Sequence, residues 1–341
     1  MKPRRLVVLG LFALAGPRVA HAQSSVALYG IVDEFIQVAN TGDGYKAALQ
    51  SSGQWASRIG LRGTEDIGNG NAINFVLEDG FTPSTGASAD PASIFSRQAW
   101  VGASGRWGEV RFGRQNSPVF ITLGRTDAFA AVTQASGLDN FSTYTIRTSN
   151  TASYISPLFG GGFQVSLYGG LGTSGGFRQP GSNYQYSVTY DHGPFAAHYA
   201  SQAVWSTTNG ALDRSSTAAA SYAIGAATVY LGYHSVDWPD IAAKYRVYSL
   251  SAKYAFSPAG TLALGAAYLR DRTTKDNDAE QISALYNYFL SKRTNLYAAV
   301  SFLRNRNTSN RTLVGAANAG PTLAYPGADA RGIQIGLVQK F

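Results

Sequence analysis

The chain has 341 residues, with 28 Lys+Arg against 20 Asp+Glu, a formal charge of +8 and only 14% charged residues. It carries 38 glycines, 20 tyrosines, 17 phenylalanines and no cysteine, at a mean hydropathy of −0.10. Disorder is excluded by the aromatics, a disulfide scaffold or thiolate metal site by the missing cysteine, and a helical membrane protein because no apolar run reaches about 18 residues. What remains is a β protein rich in Gly and Tyr, since Leu, Glu, Lys and Met are scarce.

The chain opens with Lys2, Arg4 and Arg5, then a short apolar run, LVVLGLFALAG, then PRVAHA with small residues at Ala20 and Ala22. A basic start, a short apolar core and a small-residue exit predict a secretory signal peptide over residues 1–22 and a mature chain from Gln23. Its removal takes Lys2, Arg4, Arg5 and Arg18, so the mature charge is 24 − 20 = +4. Nucleic-acid binding thereby loses its electrostatic basis, and no nucleic-acid partner is expected.

Beyond the leader, stretches of about ten residues alternate apolar with small or polar side chains, the period of a strand with two unlike faces. Tyr184, Tyr186, Val188 and Tyr190 share a face opposite Gln185, Ser187 and Thr189. Val229, Leu231 and Tyr233 oppose Tyr230 and His234; Tyr248, Leu250, Tyr254 and Phe256 oppose Ser249, Ser251 and Lys253. Leu296, Ala298, Val300 and Phe302 oppose Asn295, Tyr297 and Ser301; Ile333, Ile335 and Leu337 oppose Gln334 and Lys340. Such lengths exceed ordinary soluble strands of about five or six residues and match transmembrane strands of about 9–11. Lipid cannot satisfy a free sheet edge, so the sheet must close.

Tight linkers at residues 64–70, 104–108, 159–162, 191–194, 223–226, 257–260 and 291–293 alternate with longer polar ones at 40–52, 82–93, 116–145, 172–181, 206–215, 237–245, 271–278 and 307–329. Short turns at one end and long loops at the other describe an outer-membrane barrel. The count gives 16 strands from Val26 to Phe341 in one domain, residues 23–341. A barrel that wide encloses water. The loop 116–145 carries buriable Val119, Phe120, Ile121, Leu123, Phe129 and Val132. A long loop with such residues packs somewhere, and the lumen is the available place. The expected fold is therefore all-β, a 16-stranded antiparallel transmembrane barrel with its third extracellular loop folded into the pore.

Several blocks carry a resemblance. Residues 25–33 (SVALYGIVD), 57–81 (SRIGLRGTEDIGNGNAINFVLEDGF), 97–115 (RQAWVGASGRWGEVRFGRQ), 147–157 (RTSNTASYISP) and the final Phe341 resemble the trimeric general porins of Neisseria, Bordetella and Burkholderia relatives. The resemblance implies a homotrimer, a third loop constricting the channel, and a set of pore arginines. The residues that match are Arg58 in SRIG, Arg97 in RQAW and Arg147 in RTSN, with Arg114 in GRQ as a fourth. Alternation places Arg58 with Gly60 and Arg62 on the luminal face. It places Arg97 with Ala99 and Val101 opposite Trp100, and Arg147 with Ser149, Thr151 and Ser153. An arginine facing lipid near the midplane costs about 2–4 kcal/mol, so these side chains must meet water. Relatives often carry an acid after the proline that starts the third loop; here the run is Ser117-Pro118-Val119-Phe120. The loop's own charges, Asp127 and Arg125, complete the candidate constriction, with Asp139 its second carboxylate.

Fixed guanidinium groups around water raise the local anion concentration. Passive diffusion with an anion preference is the expected function, and Asp33, Glu78, Glu109 and Asp127 are candidate counter-charges. A substrate-specific channel for an organic acid or sugar is the alternative, with Tyr230 and Tyr297 as luminal aromatics. A barrel enzyme is the weakest reading, and the mature histidines are His192, His198 and His234. No cofactor or metal is expected. Phe341 resembles the signal read by the barrel assembly machinery, making that machinery, outer-membrane lipid and lipopolysaccharide the expected partners.

Overall fold

The computed structural model of the protein describes residues 25–341. The expected leader lies outside them. One antiparallel sheet contains β1 (Ser25–Asn40), β2 (Tyr45–Ser51), β3 (Arg58–Gly68), β4 (Asn71–Thr82), β5 (Ala87–Ser88), β6 (Gln98–Gly105), β7 (Gly108–Asn116), β8 (Arg147–Ile155) and β9 (Phe163–Gly170). It continues through β10 (Asn183–His192), β11 (Phe195–Trp205), β12 (Leu212–Ile224), β13 (Ala227–Trp238), β14 (Ala243–Ser257), β15 (Gly260–Asp271), β16 (Ala279–Phe289), β17 (Thr294–Asn305) and β18 (Ala330–Lys340). β1 pairs with β18 on one side and with β2 and β3 on the other, so the sheet closes. β2 and β3 form one interrupted stave, and β5 is a two-residue piece paired with the end of β4. The wall thus has the expected sixteen staves.

The faces are those the alternation predicts. Leu250 (56% exposed) and Ile335 (60%) point outward, whereas His234 and Gln334 are fully buried inside. This is the reverse of a soluble core and suits a sheet with lipid outside. Tyr184, Tyr186, Tyr248, Tyr254 and Tyr286 are all exposed on the outer face, as an aromatic girdle requires. Turn chemistry sets the tight ends: Asn69 and Gly70 both have positive φ (55° and 74°), the backbone a two-residue hairpin needs. The first linker differs from expectation. The chain turns at once through Gly42 and Gly44 (φ 115° and 102°) and returns as β2, whose residues pair with Glu34–Asn40. The irregular stretch comes later, at residues 52–57, where the stave breaks.

The long connection after β7 packs inside the wall. Ser117 caps α1 (Pro118–Leu123) by accepting from Phe120 N at 3.1 Å, with Pro118 in the first turn where its missing N–H costs nothing. α1 lies against β10–β12, and α2 (Gly137–Phe141) against β14–β16. Val119, Leu123, Leu138 and Phe141 are fully buried in one cluster with Val236, Val247, Leu269 and Leu303 of the wall. Burial of side chains of this size stabilises by about 1.5–3 kcal/mol each. Polar contacts fix the path: Ala128 N donates to Ser251 Oγ at 2.9 Å, and Asn140 Nδ2 to Gln281 Oε1 at 2.6 Å. The loop before β18 joins it, with Val314 N donating to Asn140 Oδ1 at 3.1 Å.

Candidate pore constriction

Glu78 of β4 is the centre of the site. It is 4% exposed, and both carboxylate oxygens are engaged. Arg97 Nε donates to Oε1 at 2.8 Å, and Tyr29 OH donates to Oε2 at 2.9 Å. The Arg97 side chain is itself only 7% exposed, so this is a buried ion pair. Arg58 is a charged neighbour of both Arg97 and Glu78. Around Arg147 stand Arg97, Glu78, Arg114 and Arg58. Glu78 is thus the acidic neighbour of Arg58, Arg97 and Arg147, and Asp90 is that of Arg114. Arg97, Arg114 and Arg147 line a single cavity of ≈ 420 Å³ with Asp90, Ser52, Ser57 and Ser96. Arg114 is held by Nε to Ser96 O (2.7 Å) and Nη1 to Ser149 Oγ (2.8 Å). The Arg147 guanidinium sits 5.8 Å from the Phe120 ring, so α1 of the inner loop borders the cluster.

The route by which Arg97 arrives differs from the parity reading. In β6 it is Trp100 that faces in (9% exposed) and Val101 that faces out (51%). Arg97 precedes the strand, so strict alternation does not govern it; its N–H donates to Glu78 O at 3.1 Å and its side chain turns back to the carboxylate. Arg58 follows the expected alternation, opposite exposed Ile59 (45%) and Leu61 (39%). In β8, Thr151 and Ser153 are inward as expected, but Asn150 at φ 52° resets the register, so Thr148 is inward and Ser149 exposed.

Asp127 and Arg125 are placed elsewhere. Asp127 is buried (5% exposed) and serves the loop's own backbone, accepting from Ala131 N at 2.8 Å, Phe129 N at 3.1 Å and the Ser136 hydroxyl. Burial raises its carboxyl above the ordinary range. Arg125 follows α1 to the opposite strands, where it lies 3.4 Å from Asp191 at the β10–β11 turn. His198 meets the other oxygen of Asp191 at 3.4 Å. His234 is spent on packing, between Thr217 Oγ1 (2.7 Å) and Thr143 O (3.2 Å). Glu109 pairs with Arg111 at 2.7 Å, away from the cluster.

Sequence reading missed the segment 52–57. It is anchored on Asp33, fully buried, whose carboxylate accepts from Gln54 N at 2.7 Å, Trp55 N, and Tyr297 OH at 2.8 Å. Gln54 Nε2 donates to Asn287 Oδ1 at 2.8 Å, on β16. A Cβ at Gly53 would lie 2.3 Å from Gln334 Nε2 and from Tyr297 OH and 2.6 Å from the Phe35 ring, so any larger residue would push these side chains aside. The inward break supplies Ser52 and Ser57 to the cavity beside the arginines. The run SSGQWAS offered one signal, a small polar cluster with glycine inside an alternating stretch. Phe341 completes the wall by exchanging N–H···O bonds of 3.1 Å with Gly30, its ring seated over that glycine.

Known proteins agree with this architecture. Residues 6–308 match the family model described as Gram-negative porin. Outer membrane porin protein 32 of Delftia acidovorans is 33% identical over 99% of each chain. Major outer membrane protein P.IB of Neisseria gonorrhoeae is 28% identical over 58% of this chain and 56% of its own. The solved anion-selective porin from Comamonas acidovorans superposes with a TM-score of 0.80 at 30% identity, covering 94% of this chain and all of that one. The closed sixteen-stave wall, its apolar outer face and these relatives lead to one conclusion: the chain belongs to the Gram-negative porin family and is an integral β-barrel of the outer membrane.

Proposed function

We propose that the channel passes small hydrophilic solutes passively and prefers anions, with Arg58, Arg97, Arg114 and Arg147 setting the preference. The observation that carries this is the surplus of positive charge at the site, where four permanently charged guanidinium groups meet two carboxylates, Glu78, which already holds an ion pair and a tyrosine hydroxyl, and Asp90 beside Arg114. Arginine stays protonated at any relevant pH. In a water-filled passage with low-dielectric walls, the surplus positive charge attracts anions and repels cations. The inner loop narrows the passage beside this cluster, since Phe120 of α1 stands next to Arg147. Asp127 and Arg125 act as loop anchors in this reading.

The working unit is a homotrimer, delivered by the leader at residues 1–22 and inserted through recognition of Phe341 by the barrel assembly machinery. Its lipid-facing surface contacts lipopolysaccharide. The function is conduction, with no catalytic step. The test is a planar bilayer in a KCl gradient: an anion-selective reversal potential is expected, and a cation-selective one overturns the proposal. A second reading has its own support, because the ≈ 420 Å³ cavity gathers three arginines and several serines. A retained organic acid would show as conductance blocked competitively by that solute, whereas general diffusion gives conductance linear in salt.

A further inference from the structure

The inner wall carries a second group of cations beside the constriction. Lys340 on β18 and Arg58 on β3 pair with the same residue, Ile31 of β1, from its two sides. All three point inward: Ile31 shares its face with buried Asp33 and Phe35, Lys340 with buried Gln334 and Val338. Two strand spacings, or about 10 Å, separate the two backbones. Two residues earlier on β1, Tyr29 is also inward, and the Arg62 guanidinium lies 5.2 Å from its ring. The inward break at residues 52–57 swings Trp55 over this stretch, with Lys340 Nζ 4.5 Å from the centre of its ring. Ile31 and Trp55 both pack against the buried cluster that contains Phe35 and Val338.

These groups have charge to spare. Arg58 is a charged neighbour of Lys340. Among the described residues neither of them, nor Arg62, enters an ion pair. The acids within reach are already engaged. Asp33 accepts from Gln54 N, Trp55 N and Tyr297 OH, and Glu78 from Arg97 and Tyr29. An aromatic face attracts a cation but carries no net charge, so Trp55 positions Lys340 without neutralising it. Trp55, Ile31, Arg58 and Lys340 are each half-buried, so part of every one meets the lumen. Cations without counter-ions, beside an indole ring and an aliphatic side chain, complement an anion with a flat apolar body.

We propose that this stretch is a retention site for aromatic carboxylates in transit, with the carboxylate held between Lys340 and Arg58 and the ring laid against Trp55 and Ile31. It rests on the anion-preferring passage proposed above and names the class of solute that lingers in it. A carboxylate accepts charge-assisted hydrogen bonds from both cations and offsets their mutual repulsion. An indole prefers a second ring in an offset or edge-on arrangement. A small carboxylate can use only the cations, and a neutral aromatic only the apolar side chains. The site is open to the passage, so a retained solute can still leave, as conduction requires.

The test reads block of the chloride current through the full-length protein in a planar bilayer at neutral pH. The blockers are benzoate, acetate (the charge without the ring) and benzamide (the ring without the charge). Benzoate should block at least about fivefold more tightly than either. Trp55→Leu should bring benzoate down to the level of acetate, because it removes the ring and keeps every charge. Lys340→Gln should weaken benzoate and acetate alike, by about fivefold. Benzoate no better than acetate would show a plain anion site, and benzamide equal to benzoate a plain apolar one; either overturns the proposal, as does a wild-type ratio of benzoate to acetate block in Trp55→Leu. If Trp55→Leu does not fold, Lys340→Gln decides, and wild-type benzoate block there overturns the proposal. A cation-selective reversal potential in KCl would sink the pore reading, whereas equal block by the two acids in an anion-selective channel sinks this proposal alone.

Discussion

Replacing Arg147 by Gln is the cleanest way to probe the pore field. Arg147 has no carboxylate of its own; its guanidinium rests on Phe120 and faces the cavity shared with Arg97 and Arg114. Removing it leaves the Arg97–Glu78 pair untouched. An ion passing about 6 Å from a unit charge in a water-like dielectric feels about 0.7 kcal/mol. The anion loses that attraction and the cation loses the same repulsion. The permeability ratio therefore falls by about 1.4 kcal/mol, or about tenfold. The assay is the reversal potential of Arg147→Gln against wild type in a KCl gradient kept at or below about 0.1 M, where the screening length is still about 10 Å. At about 1 M the difference should nearly vanish, since screening shortens to about 3 Å. A ratio unchanged at low salt would refute the placement of Arg147 in the ion path. A shift that persists unreduced at high salt would refute the electrostatic account and point to a change of pore shape.

Three further outcomes follow from the packing. Tyr297→Phe removes the hydroxyl that donates to the buried Asp33 carboxylate at 2.8 Å, and should lower unfolding stability by about 1.5–3 kcal/mol, read from guanidinium midpoints of the reconstituted barrel; a change under about 0.5 kcal/mol would show that the inward break at residues 52–57 does not depend on it. Gly30→Ala puts a Cβ 2.3 Å from the Phe341 ring and 2.7 Å from Arg58 O, so it should destabilise by about 1–3 kcal/mol, whereas Gly169→Ala, with open space around it, should be near neutral in the same assay. The Asp139 carboxyl is partly buried beside Asp127, and desolvation and the neighbouring charge both raise it well above the ordinary value. A raised carboxyl means the folded state holds its proton more tightly than the unfolded one. That contribution is complete at pH below the unfolded value and is lost as the pH rises through the folded one. Asp139→Asn should flatten this slope and raise stability at pH 7 relative to wild type; parallel pH profiles would count against a desolvated carboxyl there.

Much of the architecture was legible because the signal is repeated. Each stave restates the same alternation, so Tyr248 and Leu250 against Ser251, or Ile335 against Gln334, fix which face meets lipid without any tertiary information. The tight turns are local too: Asn69-Gly70 dictates its own hairpin. Arg58, with its regular alternation, was readable in the same way.

What alternation alone could not decide was everything that departs from period two. Asn150 resets β8 by one residue. Arg97 lies before its strand, so its direction comes from Glu78 across the sheet. The break at 52–57 exists because Asp33, Asn287 and Tyr297, far apart in the chain, offer partners to Gln54 and Trp55. The charges of the inner loop were visible in the sequence, but Asp127 turned inward to its own backbone and Arg125 was carried to Asp191 by the docking of α1. The sequence by itself determined a closed barrel with a wet interior, since a period-2 pattern with lipid outside admits no other sheet. Only the tertiary structure decided which charges share that interior, because barrel closure and the inward fold of the loops bring together side chains whose separation along the chain says nothing of their distance.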